Sequence, residues 1–404
     1  MTPQETVAVL AATAVVLAVF LAVARWVGNR WYAGAGTVAL LGHAAFGALV
    51  LPRLPYAWDI GRFHYRATLI LSGELPPTNP TINSFAGLQA VLYSVFGPDP
   101  TVVAVFNGLC AVLVALPAAD LARRLYPGLS TTRGLVATVL FLPLPFVFLT
   151  IPMRDALGVL LFFSLLAAVA RAYDGETWPV VLGIPLWGAL SLLRPELGAI
   201  LLAGGVAGAV VKAIDVVAER PVTLRGLVAL AAVPGVVALP FLVPRLPVAP
   251  FAERLQRRAV GGAIYLDGFS YETGLDVVLA APARALYFQY APFPLHATSA
   301  FDVVSALLLP VLIVLTVAAY RSARECERDL AVLVLLLAAY VLGVVGYGLV
   351  DTNFGTTVRH RVPFTFLLCV LATPTIERWA TLLLGAVGLD IVVDSTPAPE
   401  RVGD

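Results

Sequence analysis

The sequence is short of charge and almost without lysine. Asp, Glu, Lys and Arg make up 13% of its 404 residues, whereas an ordinary soluble domain carries about 25%. Its 26 basic and 25 acidic residues nearly balance, so it lacks the basic excess that binds nucleic acid through phosphate contacts. Every basic residue except Lys212 is an arginine. These shortages exclude a soluble globular domain and argue against a nucleic-acid partner.

The usual signatures of metal, nucleotide and thiol chemistry are also missing. The three cysteines and four histidines show none of the spacings of zinc sites or disulfide frameworks. They are Cys110, Cys326, Cys369, His43, His64, His296 and His360. No Walker loop, dinucleotide fingerprint or nucleophile elbow occurs, which argues against a self-contained ATP-driven pump. We therefore expect no cofactor, and nothing in the pattern supports a divalent metal.

Long apolar runs are what the sequence has instead, with 60% of its residues hydrophobic. The first run, Val7 to Ala24, lacks the basic start of a secretory signal and is long enough to cross a hydrocarbon core of about 30 Å. Period-2 alternation is absent, so each run should be a helix. The fold class predicted is therefore all-α, a polytopic transmembrane bundle of about 11 spans, within about 10 to 12. Expected spans cover approximately 5–24, 33–51, 101–119, 134–151, 155–172, 179–193, 197–213, 226–243, 301–320, 329–350 and 362–378, with a twelfth candidate at 380–393.

Two long segments outside the membrane, about 52–100 and 244–300, are rich in Pro, Tyr, Phe and charge. Ser84 to Phe96 has apolar residues at helical spacing but is too short to cross, so it should lie flat at the interface. Part of Asp276 to Tyr290 should do the same, because Pro282 would break a continuous span. Residues 1–380 then form one polytopic membrane domain, and 381–404 are a C-terminal segment ending in a tail of disordered composition.

Charged residues predict the orientation and a polar site. If the turn with Arg25 and Arg30 is cytoplasmic, alternation places most short-loop basic residues on that side. The N-terminus and both long segments are then outside a multi-pass protein of the cell membrane. The remaining charges lie at or beside the outer ends of several spans: Asp59, Arg154, Asp155, Arg194, Glu196, Asp351, Arg359 and Arg361. Each alone could snorkel or pair with a neighbour, but groups of both signs converging at membrane depth indicate a cavity or binding site.

The first outer segment contains an acid followed by basic and aromatic residues. Asp59 precedes Arg62, His64 and Tyr65, and Tyr65 is followed two residues later by Ala67 at the start of an apolar stretch. A desolvated carboxylate at a cavity mouth can act as general base and take a proton from an acceptor hydroxyl. The alternative is a loop aspartate paired with Arg62.

Three further charged motifs stand at the starts of apolar segments. Arg154-Asp155 opens a helix, where it could equally be an ion pair that caps the helix. Arg194-Pro195-Glu196 joins two spans and could be only a tight turn. Arg359-His360-Arg361 is the densest basic cluster beside a helix start and is a candidate phosphate-binding element.

Taken with the Asp59-x5-Tyr65-x-Ala67 arrangement, these motifs resemble the GT-C superfamily of glycosyltransferases. These multi-spanning enzymes, such as the protein O-mannosyltransferase and aminoarabinose transferase groups, move sugars from polyprenyl-phosphate carriers. The resemblance covers the layout of about residues 40–380 and implies that Asp59 is the base and that Arg194, Arg359 and Arg361 engage the lipid phosphate. The chain departs from the family in having an extra span before the loop, and a single Asp where several members carry an acidic pair.

The expected function is thus a membrane glycosyltransferase of hexosyltransferase type. It would move a sugar from a polyprenyl-phosphate-linked donor to a glycan or protein acceptor at the extracytoplasmic face, in the synthesis of the cell envelope. Asp59 is the predicted catalytic residue. The predicted substrate-binding residues are Arg62, His64, Tyr65, Arg154, Asp155, Arg194, Glu196, Arg359, His360 and Arg361. Two alternatives are a cell-surface polysaccharide polymerase or ligase, which would use Arg254, Arg257 and Arg258, and a lipid-linked glycan transporter or flippase.

Overall fold

The computed structural model is helical throughout the part of the chain that it describes. The described residues are 2–55, 59–217, 223, 226, 240–259, 263–266, 268–296, 298–324, 326 and 330–386. Among them the only extended pairing is an isolated bridge between Ile264 and Asn353. The predicted all-α class is therefore confirmed for these residues.

Nineteen α-helices follow one another along the described chain, numbered here in order. They are α1 Pro3–Val27, α2 Arg30–Ala45, α3 Ile60–Leu71, α4 Pro80–Phe96, α5 Pro100–Leu113, α6 Ala115–Leu125, α7 Arg133–Phe141, α8 Pro143–Thr150, α9 Asp155–Tyr173, α10 Trp178–Leu193, α11 Pro195–Val217, α12 Val248–Arg258, α13 Gly274–Tyr290, α14 Ala300–Leu307, α15 Leu309–Arg324, α16 Leu330–Val350, α17 Phe354–His360, α18 Val362–Leu371 and α19 Thr373–Ala386. Helix α2 continues through a π turn and a 3₁₀ turn to Arg53.

Seven stretches of helix are long and apolar enough to cross a membrane, and the number rises to 9 if two bent pairs each count as one span. The chain is thus a helical membrane protein, but the expected count of about 11 is not confirmed. Helix α10 has 16 residues, which is short for a span. Most of the predicted span 226–243 lies outside the described residues, as do residues 387–404 with the predicted tail. Helix α19 reaches Ala386, past the boundary expected at 380.

Prolines explain both bends. Helices α7 and α8 meet at 55°, and α18 and α19 at 77°. Pro143 begins α8 after an extended Leu142, because proline has no amide hydrogen and its ring clashes with the preceding turn. Pro374 likewise cannot donate to the carbonyl of Val370, and the Thr373 hydroxyl donates to that oxygen instead, at 2.7 Å. Both bends are therefore set by local sequence.

Glycines let α11 and α16 pack closely in antiparallel order. A Cβ added at Gly208 would lie 2.8 Å from the carbonyl oxygen of Ala331, and one at Gly204 would lie 3.1 Å from that of Leu335. Small residues of this kind allow membrane helices to approach backbone to backbone. The packing brings Arg194, which precedes α11, to the end of α16, where the candidate site lies.

The two long segments between predicted spans, about 52–100 and 244–300, contribute helices that cover this end of the bundle. Helices α3 and α4 belong to the first segment, and α12 and α13 to the second. Helix α13 runs unbroken through Pro282, so the expected break at this proline is wrong, and the helix forgoes one backbone hydrogen bond there. Tyr265 anchors the second segment, since its amide donates to the carbonyl of Thr352 at 2.8 Å.

Candidate functional site

Asp59 precedes α3 but does not cap it with its side chain. An aspartate at this position usually accepts from the amides of the first turn. Here the amides of Arg62 and Phe63 bond to the main-chain oxygen of Asp59, at 3.1 and 3.2 Å, and its side chain makes no capping bond. The carboxylate is 53% exposed, and its Oδ2 lies 3.8 Å from Arg359 Nη1. Asp59 therefore pairs with Arg359 across about 300 residues of chain, and not with Arg62.

A small cavity of about 90 Å³ opens beside this carboxylate, below the range of about 300–1,000 Å³ typical of sites for drug-sized ligands. Its lining comes from α3, α4, the turn before α9, the turn before α11 and α17. The lining residues are Asp59, Arg62, Phe63, Ile82, Met153, Arg154, Asp155, Arg194 and Arg359. The turns at the ends of separate helices thus converge on one pocket.

Four guanidinium groups line the cavity against two carboxylates, a formal excess of two positive charges. Glu196 does not line the cavity, but it interacts electrostatically with Arg154 and Arg194, and counting it leaves an excess of one. Burial, together with the nearby Arg194, lowers the pKa of Arg154 to about 10. Arg154 is still charged at pH 7, so the lining remains cationic and suits an anionic ligand.

Arg359 is held in the cavity wall with one donor unused. Its Nη1 contacts the sulfur of Met153 at 3.4 Å, and its Nε lies 4.0 Å from Asp155 Oδ2. Within the described residues, Nε is buried with no hydrogen-bond acceptor. A buried donor without an acceptor is costly, and this one would be satisfied by a ligand oxygen in the cavity.

Arg194 and Asp155 form a buried ion pair at the base of the cavity. Arg194 Nη2 bonds to Asp155 Oδ1, and the two residues are only 5% and 8% exposed. Asp155 is the first residue of α9. Arg154 does not bond to it and instead donates to the carbonyl of Thr81 at 3.0 Å. The capping ion pair considered for Arg154 and Asp155 is therefore not formed, and Arg194 supplies the partner.

Further hydrogen bonds connect the Arg194–Asp155 ion pair through His360 to Asp351. Arg194 Nη1 lies 3.1 Å from His360 Nε2, and His360 Nδ1 lies 2.9 Å from Asp351 Oδ2. The other oxygen of Asp351, which is fully buried, bonds to Arg258 of α12. A chain of side chains thus joins the cavity to the second outer segment.

The hydrogen bonds define the protonation of His360. Arginine can only donate, so His360 Nε2 must accept, and Nδ1 carries the proton that it donates to Asp351. Burial lowers the pKa of His360 well below its usual value, and the neighbouring arginines Arg194, Arg258 and Arg359 lower it further. Burial raises the pKa of Asp351 to about 6, although Arg258 opposes the shift. At neutral pH the histidine is therefore uncharged and the aspartate ionised.

Five of the predicted site residues do not line the cavity: Glu196 and His360, described above, and His64, Tyr65 and Arg361. His64 Nδ1 bonds to the hydroxyl of Tyr93 at 2.8 Å, and Tyr65 is 58% exposed. Arg361 follows Arg359 by two residues, which is about 200° around a helix, so it points away and donates to the carbonyl of Gln289 at 2.6 Å. It lines a separate, shallow apolar groove with Val358 and Leu312.

Asp351 and Arg258 complete the buried network but are not among the predicted site residues. Asp351 is one of the outer charges, and it follows directly on the apolar run that becomes α16. Its burial depends on Tyr265, whose hydroxyl donates to the carbonyl of Asp351 at 2.8 Å. The signal in the sequence that could have identified Asp351 is the position of an acidic residue immediately after a predicted span. Nothing in the sequence indicates that Arg258, in a distant segment, would be its partner.

No protein-family model matches the chain, and no curated protein and no solved structure matches it either. The resemblance to GT-C glycosyltransferases therefore stays a prediction from the sequence motifs.

Proposed function

We propose that this protein is a membrane glycosyltransferase that takes its sugar from a polyprenyl-phosphate donor. One observation carries the proposal: a half-exposed carboxylate, Asp59, shares a cavity with the cationic side chains of Arg62, Arg154 and Arg359. A base for the acceptor and cations for the departing phosphate are the two elements that such a transfer needs.

In the proposed reaction Asp59 accepts the proton of the acceptor hydroxyl. The acceptor oxygen attacks the anomeric carbon and forms the new glycosidic bond. The bond from that carbon to the phosphate oxygen breaks, and the polyprenyl phosphate leaves with the electron pair. Arg359, through its unsatisfied Nε, and Arg154 stabilise the developing negative charge. Displacement in one step inverts the anomeric configuration.

The apolar tail of the donor also needs a place. The groove of Leu142, Leu144, Pro145 and Leu308 is lined almost entirely by aliphatic side chains and includes Val358, which precedes Arg359 in α17. We assign the prenyl chain to this groove and the headgroup to the cavity. Arg361, at the polar edge of the groove, remains a predicted contact of the carrier.

Replacing Asp59 with Asn tests the proposal. Loss of a general base costs about 10²–10⁴-fold in rate, so we expect transfer to fall by that factor. Transfer is measured in proteoliposomes with a panel of radiolabelled polyprenyl-phosphate monosaccharides. Glu74→Gln is the matched control, because Glu74 is an exposed acid of the same outer segment that does not line the cavity. Full activity of Asp59→Asn would remove this residue from the mechanism.

The same proteoliposomes distinguish the alternative functions. A polymerase or ligase would use lipid-linked oligosaccharide in place of the monosaccharide, and a flippase would move lipid without any glycosylated product. The arginines of the second segment give little support to the polymerase alternative, because Arg257 pairs with Glu253 and Arg258 pairs with Asp351. Arg254 alone of the three lacks an ion pair within the described residues.

A further inference from the structure

A second cavity, of about 520 Å³, lies at the opposite end of the bundle from Asp59. It is formed where α1 turns into α2 and where α6 leads into α7. Helix α2 and its continuation form one candidate span from Arg30 to Arg53. Arg30, which lines the second cavity, is at one end of this span, and Asp59 follows shortly after the other end. The polar lining comprises Asn29, Arg30, Arg123, Arg133, Ser130, Thr131 and Thr132.

The three arginines of this cavity are only partly balanced by acids. Among the described residues, no carboxylate forms an ion pair with Arg30, Arg123 or Arg133. Arg124, the neighbour of Arg123, pairs with Asp120, Asp174 and Glu176. These three acids are thus directed to Arg124 and away from the cavity.

One carboxylate lies nearby, and its oxygens are already engaged. Glu377 accepts from the amides of Gly134 and Leu135, at 3.1 and 2.8 Å. It interacts electrostatically with Arg123 and Arg133 and so offsets one of the three positive charges. Arg123 also donates to Thr132 Oγ1 at 3.1 Å. Arg30 and Arg133 therefore remain the guanidiniums available to a ligand.

We infer that this cavity binds a phosphate group. Guanidinium pairs bind phosphate through charge-assisted, often two-pronged hydrogen bonds, and the hydroxyls of Ser130 and Thr131 add donors. Trp26, at the end of α1, is 86% exposed, and Trp31 lines the cavity. Exposed tryptophan beside basic side chains is typical of headgroup depth. The phosphate group belongs either to an anionic phospholipid or to a soluble phosphate compound.

Calorimetric titration of the full-length protein in non-ionic detergent at fixed ionic strength tests the inference. The probes are inorganic phosphate, a short-chain phosphatidylglycerol and the matching zwitterionic phosphatidylcholine. We expect phosphatidylglycerol or phosphate to bind, with phosphatidylcholine at least about tenfold weaker. Binding of phosphatidylglycerol alone identifies a lipid headgroup, and binding of phosphate alone identifies a soluble ligand. Absence of binding by both overturns the inference.

The variant Arg30→Gln with Arg133→Gln should weaken binding by about tenfold or more. Arg321→Gln is the matched control, since Arg321 is an exposed arginine of the same end that does not line the cavity. Cys326, five residues on, donates to the carbonyl of Leu125, which places this region at that end. An equal loss in Arg321→Gln would show that general charge, and not this cavity, attracts phosphate. Arg30→Gln alone serves if the double variant does not fold.

Discussion

The two ends of the bundle differ in how deeply their ion pairs are buried. At the end with Asp59, Arg194 and Asp155 are less than 10% exposed and Asp351 is fully buried. At the other end, Arg124 and its partner Asp174 keep 19% and 42% of their side chains exposed. Surface pairs cost little to form and contribute about 0–1 kcal/mol, whereas a buried network must overcome a large desolvation penalty. Because burying charged side chains costs folding free energy, a purely structural role does not explain this network well. The cost favours a functional role for the network at the end of the bundle with Asp59.

The largest expected effect is on stability, from breaking the buried pair. Arg194→Met leaves Asp155 and the acceptor nitrogen of His360 without their main donor, which should lower the free energy of unfolding by about 3–5 kcal/mol. Thermal unfolding in detergent measures it. The double variant Arg194→Met with Asp155→Leu should be less destabilised than the single one, because it leaves no buried carboxylate unpaired. A single variant as stable as the wild type would mean that the pair is not buried.

Arg359→Gln should separate activity from stability. Its Nε has no acceptor among the described residues, and its Nη1 makes only a long contact with Asp59 and one with the sulfur of Met153, so little structure depends on it. We expect the transfer rate to fall by about 10²–10³-fold, as when one donor to a developing oxyanion is removed, with little change in Tm. Arg254→Gln, an exposed arginine of the second outer segment, is the control. Equal rates for the two variants would count against a role for Arg359.

Lowering the pH should destabilise the end of the bundle that contains Asp59, because of His360. Its pKa in the folded protein is below the unfolded value of 6.5, so as pH falls below 6.5 the unfolded state binds the proton first, and the stability contributed by the neutral ring is lost. His360→Gln lacks this proton site, while Asp351 remains in both proteins. The Tm of the wild type should therefore fall relative to that of His360→Gln between pH 6.5 and 5. Parallel Tm curves would contradict a neutral, hydrogen-bonded His360.

The smallest effect should come from the exposed end. Arg124→Gln removes three ion pairs that are open to water, so the loss of stability should not exceed about 1 kcal/mol. It should shrink further in high salt, which screens exposed charges, and transfer should be unchanged. If Arg124→Gln lost as much stability as Arg194→Met, the two ends of the bundle would not differ in how much their ion pairs contribute to stability.

Local sequence predicted part of the site well. Arg154, Asp155, Arg194 and Arg359 each stand beside a helix start, and alternation of apolar runs was enough to expect them at one end. It could not tell which of them pair, because partners such as Asp59 and Arg359 are joined by packing alone. The expected capping pair of Arg154 and Asp155 was wrong for this reason. Arg361 was misassigned to the cavity because two residues along a helix point in opposite directions.

The sequence alone predicted a helical membrane protein, as the described residues confirm, since apolar runs of this length must satisfy their amides internally. Prolines 143 and 374 also determined where two helices bend. Only the tertiary structure decided which charges are buried, because burial depends on close approach of α11 to α16 and on Tyr265 covering Asp351. Hydropathy is a local property of the chain, whereas the partner of a buried charge is chosen by segments far apart in sequence.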